Sequence, residues 1–538
     1  MSVNERIGWD PSTRQIKSWV FDSEGGFGCG LWSRHGNEWV IKSTGIMPDG
    51  CCYYPSVGGV LLDGGASPSG NAYHTYAVQN GSITVTYADQ NITATPGQQR
   101  TVTVMLFEAT TTGAVMNQRA LGAVPLTLTG TTTATMTASV GAMHADGADR
   151  RSTITISNIR DGLGHVVPDG TQIGVTALTN TTITPDGCCY NQSAGGVIIG
   201  GVAANDSRFH IFTVQNGQAV FEYSSQGVTV GTGQSTARVQ LVPVSQSGTV
   251  LTVTAIATVP IQLLAYQGAL VTLTPADIIA DNGAHLAQLT IANLTDNGGA
   301  LVPDGAKVAI SVNNNVAIDP ATNSYVQSAG GQLQSAGTTA GDGTPATNNS
   351  SYQVYTVAGG RVLASYSDVS LTAGVNETKV ARVSVVGATT SGAISTSQAM
   401  AMGAINLHGT TSATASGPAS VARTGGTVQI TFSGIRDSGG NVVPDGTVVA
   451  VTAAANQLID QTNSYVQSTG GSIVNGTTSP SSSLYKNFSV QNGSITVTYS
   501  AATASLGTAR ISIAPANVNG GLNGNKAVIG GIWPITVQ

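Results

Sequence analysis

One long repeat constrains the fold of this chain more than any other feature of its sequence. The phrase VQNGSITVTY at 78–87 returns as VQNGQAVFEY at 214–223, VAGGRVLASY at 357–366 and VQNGSITVTY at 490–499. Successive copies are 136, 143 and 133 residues apart, so the period is about 137 residues. A unit of that length is too long for a solenoid coil or a propeller blade and has the size of a whole domain.

Two further phrases recur with the same period. We call the first the VPDG marker; it occurs as VVPDGTQIGVT (166–176), LVPDGAKVAIS (301–311) and VVPDGTVVAVT (442–452). The second, the GG marker, occurs as YYPSVGG (53–59), YNQSAGG (190–196), YVQSAGG (325–331) and YVQSTGG (465–471). With the VQNG phrase as the NG marker, three markers in a fixed order indicate four copies. The predicted domains are an N-terminal segment at 1–45, copy one at 46–129, copy two at 130–267, copy three at 268–409 and copy four at 410–538.

The markers predict β-structure. Asn80-Gly81 suits a tight hairpin turn, which needs two positive φ angles. After that turn the apolar residues Ile83, Val85 and Tyr87 alternate with threonines, as in a strand with one buried face. Each period contains seven to nine such runs and no convincing amphipathic helix of three turns. The fold class predicted from this pattern is all-β, a row of β-sandwiches.

Three of the repeated stretches resemble the front of bacterial Ig-like domains of the invasin and intimin kind. These stretches are ISNIRDGLGHVVPDGTQIGVTA, IANLTDNGGALVPDGAKVAIS and FSGIRDSGGNVVPDGTVVAVTA. The resemblance covers roughly residues 46–538. Members of that family typically form tandem rods on surface adhesins and other exported proteins. The resemblance therefore implies Ig-like sandwiches in a rod and an extracellular or cell-surface location.

The first 45 residues differ from the rest in composition. They carry four of the five tryptophans and ten of the 48 charged residues. The segment is predicted to be a four-strand meander with turns at Asp10-Pro11, 24–26 and 35–37. It resembles the small β-barrel tail that follows SnoaL-like domains, through GWDP, SWVFDSEGGFG and the VIKSTG end. Only these 45 residues match, so the resemblance implies no activity.

Copy one is truncated. The hexapeptide PDGCCY at 48–53 is repeated at 185–190, and copies two to four each hold about 55 residues before that position. Two interpretations follow: the meander supplies the strands that copy one lacks, or copy one keeps an open edge. An open edge invites strand exchange with another chain. We favour completion by the meander.

The paired cysteines are candidates for disulfides. Cys51-Cys52 and Cys188-Cys189 align with small polar pairs in copies three and four, so the fold does not require cysteine. We expect vicinal or local disulfides in an oxidising compartment. A metal site or a redox centre is disfavoured, because no histidine or second C-x-x-C motif lies nearby. Cys29 is the odd fifth cysteine.

Six aspartates recur in pairs eight residues apart and are candidates for calcium ligands. The interpretation that we favour is turn capping by the aspartate side chain. Calcium at domain junctions is the alternative, since hard cations need several oxygens from a loop. No D-x-D-x-D-G run supports it. The candidates are Asp161, Asp169, Asp296, Asp304, Asp437 and Asp445.

Charge and motifs exclude several function classes. Only 9% of residues are charged and the net charge is −6, so no basic surface is available for nucleic acid. No run of 18 apolar residues predicts a membrane span, and the N-terminus shows no secretory signal. The H-E-x-x-H, G-x-S-x-G and G-x-x-x-x-G-K motifs are missing, so no catalytic residue and no cofactor are predicted.

The sequence therefore predicts a non-enzymatic extracellular stalk or adhesin segment, with an unknown surface or matrix ligand. One alternative is a self-associating filament subunit, in which a neighbour's strands fill copy one. A second alternative is carbohydrate binding by loops at the GG markers. That alternative needs exposed aromatic side chains, for which the candidates are Tyr53, Tyr54, Tyr190, Tyr325 and Tyr465. The tyrosines of the NG markers are predicted to lie in the core: Tyr87, Tyr223, Tyr366 and Tyr499.

Overall fold

The structure is a computed structural model, and it describes most of the chain. The described residues are 3–11, 14–22, 27–35, 38–46, 52–53, 59–69, 73–90, 92–180, 195–231, 233–314, 331–335, 342–396, 398–455, 470–524 and 526–538. Within these ranges every extended regular element is a β-strand. The prediction of an all-β fold with tandem β-sandwiches is confirmed.

The N-terminal segment forms an antiparallel sheet together with the first strand of copy one. Its strands are β1 (Val3–Asp10), β2 (Gln15–Asp22), β3 (Phe27–His35), β4 (Glu38–Ile46) and β5 (Cys52–Tyr53). They pair in chain order, so the predicted meander is present and gains a short fifth strand that pairs with the end of β4. An ion pair between Lys17 and Asp10 joins the first two strands.

Besides β5, copy one contributes six strands in three separate pairs. The strands are β6 (Val60–Leu62), β7 (Gly65–Ala66), β8 (His74–Thr75), β9 (Thr86–Ala88), β10 (Gln99–Ala109) and β11 (Val115–Thr129). β6 pairs with β9, β7 with β8, and β10 with β11. No strand of the N-terminal sheet pairs with any of them in the described residues. Residues 52–53 of copy one do pair with β4, so completion of copy one by the meander, which we favoured from the sequence, stays a prediction.

Copy two is a complete sandwich of ten strands. They are β12 (Thr131–Ala138), β13 (Ala142–His144), β14 (Arg151–Asp161), β15 (Gln172–Asn180), β16 (Val197–Ile199), β17 (Val202–Ala203), β18 (His210–Thr213), β19 (Ala219–Ser224), β20 (Gln234–Pro243) and β21 (Ala257–Leu264). One sheet has the order β12-β14-β19-β16, and the other has the order β13-β21-β20-β15-β18-β17. β13 runs parallel to β21 and all other pairs are antiparallel.

Copies three and four repeat this topology strand for strand. Copy three holds β22 (Tyr266–Thr274), β23 (Asp277–Ile279), β24 (Leu286–Asp296), β25 (Lys307–Asn314), β26 (Gln332–Ser335), β27 (Thr344–Ala346), β28 (Asn349–Thr356), β29 (Val362–Ser367), β30 (Thr378–Ala388) and β31 (Ala401–His408). Copy four holds β32 (Thr410–Ser416), β33 (Ser420–Val421), β34 (Thr427–Asp437), β35 (Val448–Ala455), β36 (Ser472–Ile473), β37 (Thr477–Ser479), β38 (Ser482–Ser489), β39 (Ile495–Ser500), β40 (Gly507–Pro515) and β41 (Ile532–Val537).

The core of each complete copy lies between its two sheets. In β14 the side chains of Ile154 and Ile156 are fully buried while their chain neighbours point outward, which is the period of two that a half-buried strand requires. They meet Val239 and Leu241 of the opposite sheet in one cluster. Ten strands per copy exceed the seven to nine expected, because strands of two or three residues such as β17 leave no alternating pattern to detect.

Candidate functional site: an unpaired sheet face and two domain junctions

The GG marker and the tyrosine of the NG marker meet in the core. The hydroxyl of Tyr223 donates to the carbonyl of Gly195 at 2.7 Å, and that of Tyr499 donates to Gly470 at 2.6 Å. The next glycine, Gly196, has a φ of +103°, and a Cβ there would lie 2.8 Å from the Tyr223 hydroxyl. Burial raises the pKa of Tyr499 to about 12, so the phenol remains a donor. These contacts give both markers a structural role.

The VPDG marker holds the turn of the NG marker. Asp169 Oδ1 accepts the backbone N–H of Asn216 at 2.6 Å, and Asp445 accepts that of Asn492 at 2.6 Å. In copy three Asp304 accepts the N–H of Gly359 at 2.7 Å. Each carboxylate thus satisfies a turn N–H, which accounts for the paired recurrence of both phrases.

The other three aspartates cap turns at the ends of equivalent strands. Asp161 Oδ1 accepts two backbone N–H groups, from Leu163 and from His165, each at 2.9 Å. Burial opposes ionisation of Asp161, but these N–H groups lower its pKa overall. Asp296 and Asp437 accept the corresponding pairs of N–H groups in copies three and four. All six aspartates occupy turn positions, and calcium binding by them stays a prediction.

The disulfide and carbohydrate predictions concern side chains outside the described residues. Cys51, Cys188 and Cys189 lie outside them altogether, and only the backbone of Cys52 is described, in β5. Among the tyrosines near the GG markers, only the backbone of Tyr53 is described. The other four lie outside the described residues: Tyr54, Tyr190, Tyr325 and Tyr465. The disulfides and the carbohydrate-binding loops both stay predictions.

Copy one exposes a face that is core in the other copies. The β10–β11 hairpin corresponds to β20–β21, with the same strand partners at an offset of 135 residues. Leu106 in β10 is 45% exposed, whereas its equivalent Leu241 is 0% exposed. Val124 in β11 is 60% exposed, against 8% for Val259. Copy one lacks equivalents of β12 to β15 in the described residues, and in copy two these strands include β14, whose side chains pack on this face.

Successive copies are joined by single residues. One residue separates the last strand of one copy from the first strand of the next, namely Gly130, Ala265 and Gly409. At Gly409 a Cβ would lie 2.0 Å from the carbonyl oxygen of Gly374, so only glycine allows this approach. Linkers this short leave little freedom between neighbouring sandwiches.

The two junctions between complete copies share a hydrogen bond. The N–H of Thr390 in copy three donates to the carbonyl of Asp146 in copy two at 3.0 Å. The N–H of Val518 in copy four donates in the same way to Asp281 in copy three at 2.9 Å. The sequence markers gave no signal of these contacts, because neither loop lies in a repeated phrase.

Side chains fill the two junctions differently. Between copies two and three, the rings of His144 and Tyr266 pack edge to face with centroids 4.4 Å apart. The Tyr266 hydroxyl donates to the carbonyl of Lys307 at 2.6 Å. Between copies three and four, His408 Nδ1 lies 2.9 Å from the hydroxyl of Ser438. The junctions share a backbone contact but differ in chemistry.

Comparisons with known proteins add no family. No protein-family model matches the chain, and no curated protein matches it. Structural matches include a β-glycosidase from Bacteroides vulgatus (TM-score 0.15, 11% identity, covering 52% of this chain and 24% of that one). They also include CBD12 from CALX1.2 (TM-score 0.17, 9% identity, covering 46% and 79%) and the FN1–FN3 domains of chicken CNTN1 (TM-score 0.17, 8% identity, covering 76% and 99%). The chain thus spans about a quarter of the glycosidase, and TM-scores this low carry no argument about function.

Among the described residues, none forms a helix with the length and apolarity that crossing a bilayer requires.

Proposed function

We propose that this protein is a non-enzymatic structural stalk, exposed outside the cell, in which tandem sandwiches hold a binding region away from a surface. The observation that carries the proposal is the pair of matching junctions. Single-residue linkers and an equivalent interdomain hydrogen bond at both junctions restrict bending between the complete copies.

The length of such a stalk follows from strand geometry. Strands of about ten residues, at roughly 3.3 Å each, give about 33 Å per sandwich along the strand direction. Recurring residues such as Asp169, Tyr223 and Asp296 support a structural role, because each of these three is engaged in a turn or in the core. The chain is low in charge, which suits a solvated rod with little electrostatic steering.

Small-angle scattering on the full chain, coupled to size-exclusion chromatography with light scattering, tests the stalk. We expect a 54.2 kDa monomer with a pair-distance distribution skewed towards long distances. A symmetric, compact distribution for the monomer would overturn the proposal. As a variant, Gly409→Ala adds a methyl group where no space exists, and we expect it to disturb the junction between copies three and four.

A second candidate function is favoured by the exposed face of copy one. We propose that strands from a second copy of this chain cover the β10–β11 face, which would link molecules into a filament. Full burial of a leucine or valine stabilises by about 1.5–3 kcal/mol, so the side chains of Leu106 and Val124 favour such a partner. Strand addition would also pair the outer edges of this hairpin, which pair with no other strand in the described residues.

A concentration series by light scattering separates the two candidates. A filament subunit gives multimers that grow with concentration, and Leu106→Glu abolishes them. Thr103→Glu is the matched control, because residue 103 lies in the same strand on the opposite face. Multimers that survive Leu106→Glu would exclude this face as the contact. A monomer at every concentration would exclude the filament and leave the stalk.

A further inference from the structure

Copy three contains a cluster of two carboxylates and one imidazole that no repeated marker predicts. The loop from Asp281 to His285 connects β23 of one sheet to β24 of the other, and Asp368 directly follows β29. Because Leu286 pairs with Ser367 across β24 and β29, the strand register brings His285 beside Asp368. One nitrogen or oxygen atom from each of the three side chains lies within 4.8 Å of the other two.

One oxygen in this cluster has no hydrogen-bond partner. Asp281 Oδ1 lies 2.9 Å from His285 Nε2, but Asp281 Oδ2 is buried and finds no partner among the described residues. The Asp281 side chain is only 3% exposed. A buried carboxylate oxygen without a partner is costly, so its retention calls for a ligand that the protein itself does not supply.

The other carboxylate is held rigidly by the loop. Asp368 Oδ1 accepts the backbone N–H of His285 at 2.7 Å, and Oδ2 accepts those of Asp281 and Gly283 at 3.2 Å each. Each carboxylate oxygen carries two lone pairs, so these bonds leave acceptor capacity on Asp368. The loop and the carboxylate therefore fix each other in place.

A glycine keeps the space beside the cluster open. A Cβ on Gly283 would lie 2.5 Å from Asp281 Oδ1 and 2.6 Å from His285 Nε2. Gly283 does not adopt a positive φ, so the backbone conformation does not require glycine there. The requirement comes from the room around the two polar atoms.

Copies two and four carry different side chains at the equivalent loop position. All three copies share a backbone hydrogen bond at this point, donated by Ser225 to Arg150, by Asp368 to His285, and by Ala501 to Gly426. In copy two, Arg150 supplies a cation 2.8 Å from the buried carboxylate of Asp146. In copy four the loop 422–426 reads ARTGG and contains no carboxylate, so no cation is needed. Copy three has two carboxylates against one imidazole.

We propose that Asp281, His285 and Asp368 bind a divalent metal ion, zinc or a first-row transition metal. An imidazole nitrogen with two carboxylates is a ligand set for zinc or manganese, whereas calcium prefers six to eight oxygens. The ion would neutralise the cluster as Arg150 does in copy two. Since the carbonyl of Asp281 accepts the N–H of Val518 from copy four, the ion would also fix the junction loop.

Calorimetric titration of the chelator-treated full chain with zinc chloride tests the proposal. We expect one site that Asp281→Asn and His285→Gln each weaken by at least about tenfold. Asp146→Asn in copy two is the matched control and leaves this site unchanged. Cysteine thiolates also bind zinc. The site is therefore identified as the binding heat that the unaltered chain shows and that the Asp281→Asn and His285→Gln variants lose.

Gly283→Ala provides a second variant that retains all three ligands. It fills the space beside Asp281 and His285, so we expect it to weaken zinc binding as well, with circular dichroism confirming that each variant is folded. In the unaltered chain, zinc is expected to slow hydrogen exchange at the Val518 N–H. Titrations that are identical for the unaltered chain and the folded Asp281→Asn, His285→Gln and Gly283→Ala variants would overturn the proposal.

Discussion

Copies one and two use nearly the same strands for their β-hairpin, yet the side chains meet different surroundings. In copy two, β20 and β21 lie in a six-stranded sheet whose inner face packs on β14. Among the described residues of copy one, β10 and β11 pair only with each other. Leu241 is consequently core and Leu106 is surface, although strand type and register agree. Burial of this hairpin face depends on the strands that precede the GG marker. Copy one lacks those strands in the described residues.

The largest expected contrast is in the effect of truncating these two leucines. Leu241→Ala should destabilise copy two by about 2–5 kcal/mol, because it removes buried methyl groups and leaves a cavity. Leu106→Ala should change the stability of the monomer by less than about 0.5 kcal/mol, as for other exposed positions. Denaturant unfolding of the full chain, followed by hydrogen exchange resolved by copy, measures both. Similar losses at the two positions would show that copy one is covered in solution.

The next largest expected effect is a difference in acid sensitivity between the two junctions. Burial lowers the pKa of His144, and the charges around it, Asp146, Arg150 and Asp296, do not reverse that direction. The folded-state pKa is therefore below the unfolded value, so the stabilising effect of neutral His144 is present above the unfolded pKa. It is lost as the pH falls through the folded pKa.

Copy three offers a matched residue for this test, since Ile279 occupies the position of His144 in the equivalent strand. His144→Ile should remove the acid sensitivity of the junction between copies two and three. Hydrogen exchange at the Thr390 N–H between pH 7 and pH 5, roughly the range around an ordinary histidine pKa, reports on it. An unchanged pH dependence in the variant would assign the sensitivity to other groups.

The smallest expected effect concerns the NG turns. Asp169→Ala removes the acceptor for the Asn216 N–H and should cost about 1 kcal/mol in copy two. Copy one has no VPDG marker, so the exchange rate at Asn216 should rise towards that at Asn80. Asp445→Ala serves as a replicate in copy four. If exchange at Asn216 stayed slow in the variant, the carboxylate would not be what protects this turn.

Much of the fold could be predicted from the chain because its signals are local. The Asn-Gly turns have the positive φ angles that the dipeptide indicates, with values of 50° and 74° at Asn80 and Gly81. Alternation of apolar residues located the long strands. Short strands such as β17 were missed because two residues show no period. The strand partners of the meander could not be predicted, because the edge of a strand carries no sequence signal for the strand that it pairs with.

The sequence by itself determined the number of copies, their order and their β character, because periodicity and turn chemistry act between near neighbours. Only the tertiary structure decided which distant residues come into contact. It brought the GG glycines onto the NG tyrosines, left Leu106 exposed, and placed Asp368 against Asp281 across 87 residues of chain. Such contacts depend on strand register between sheets, which a single sequence does not record.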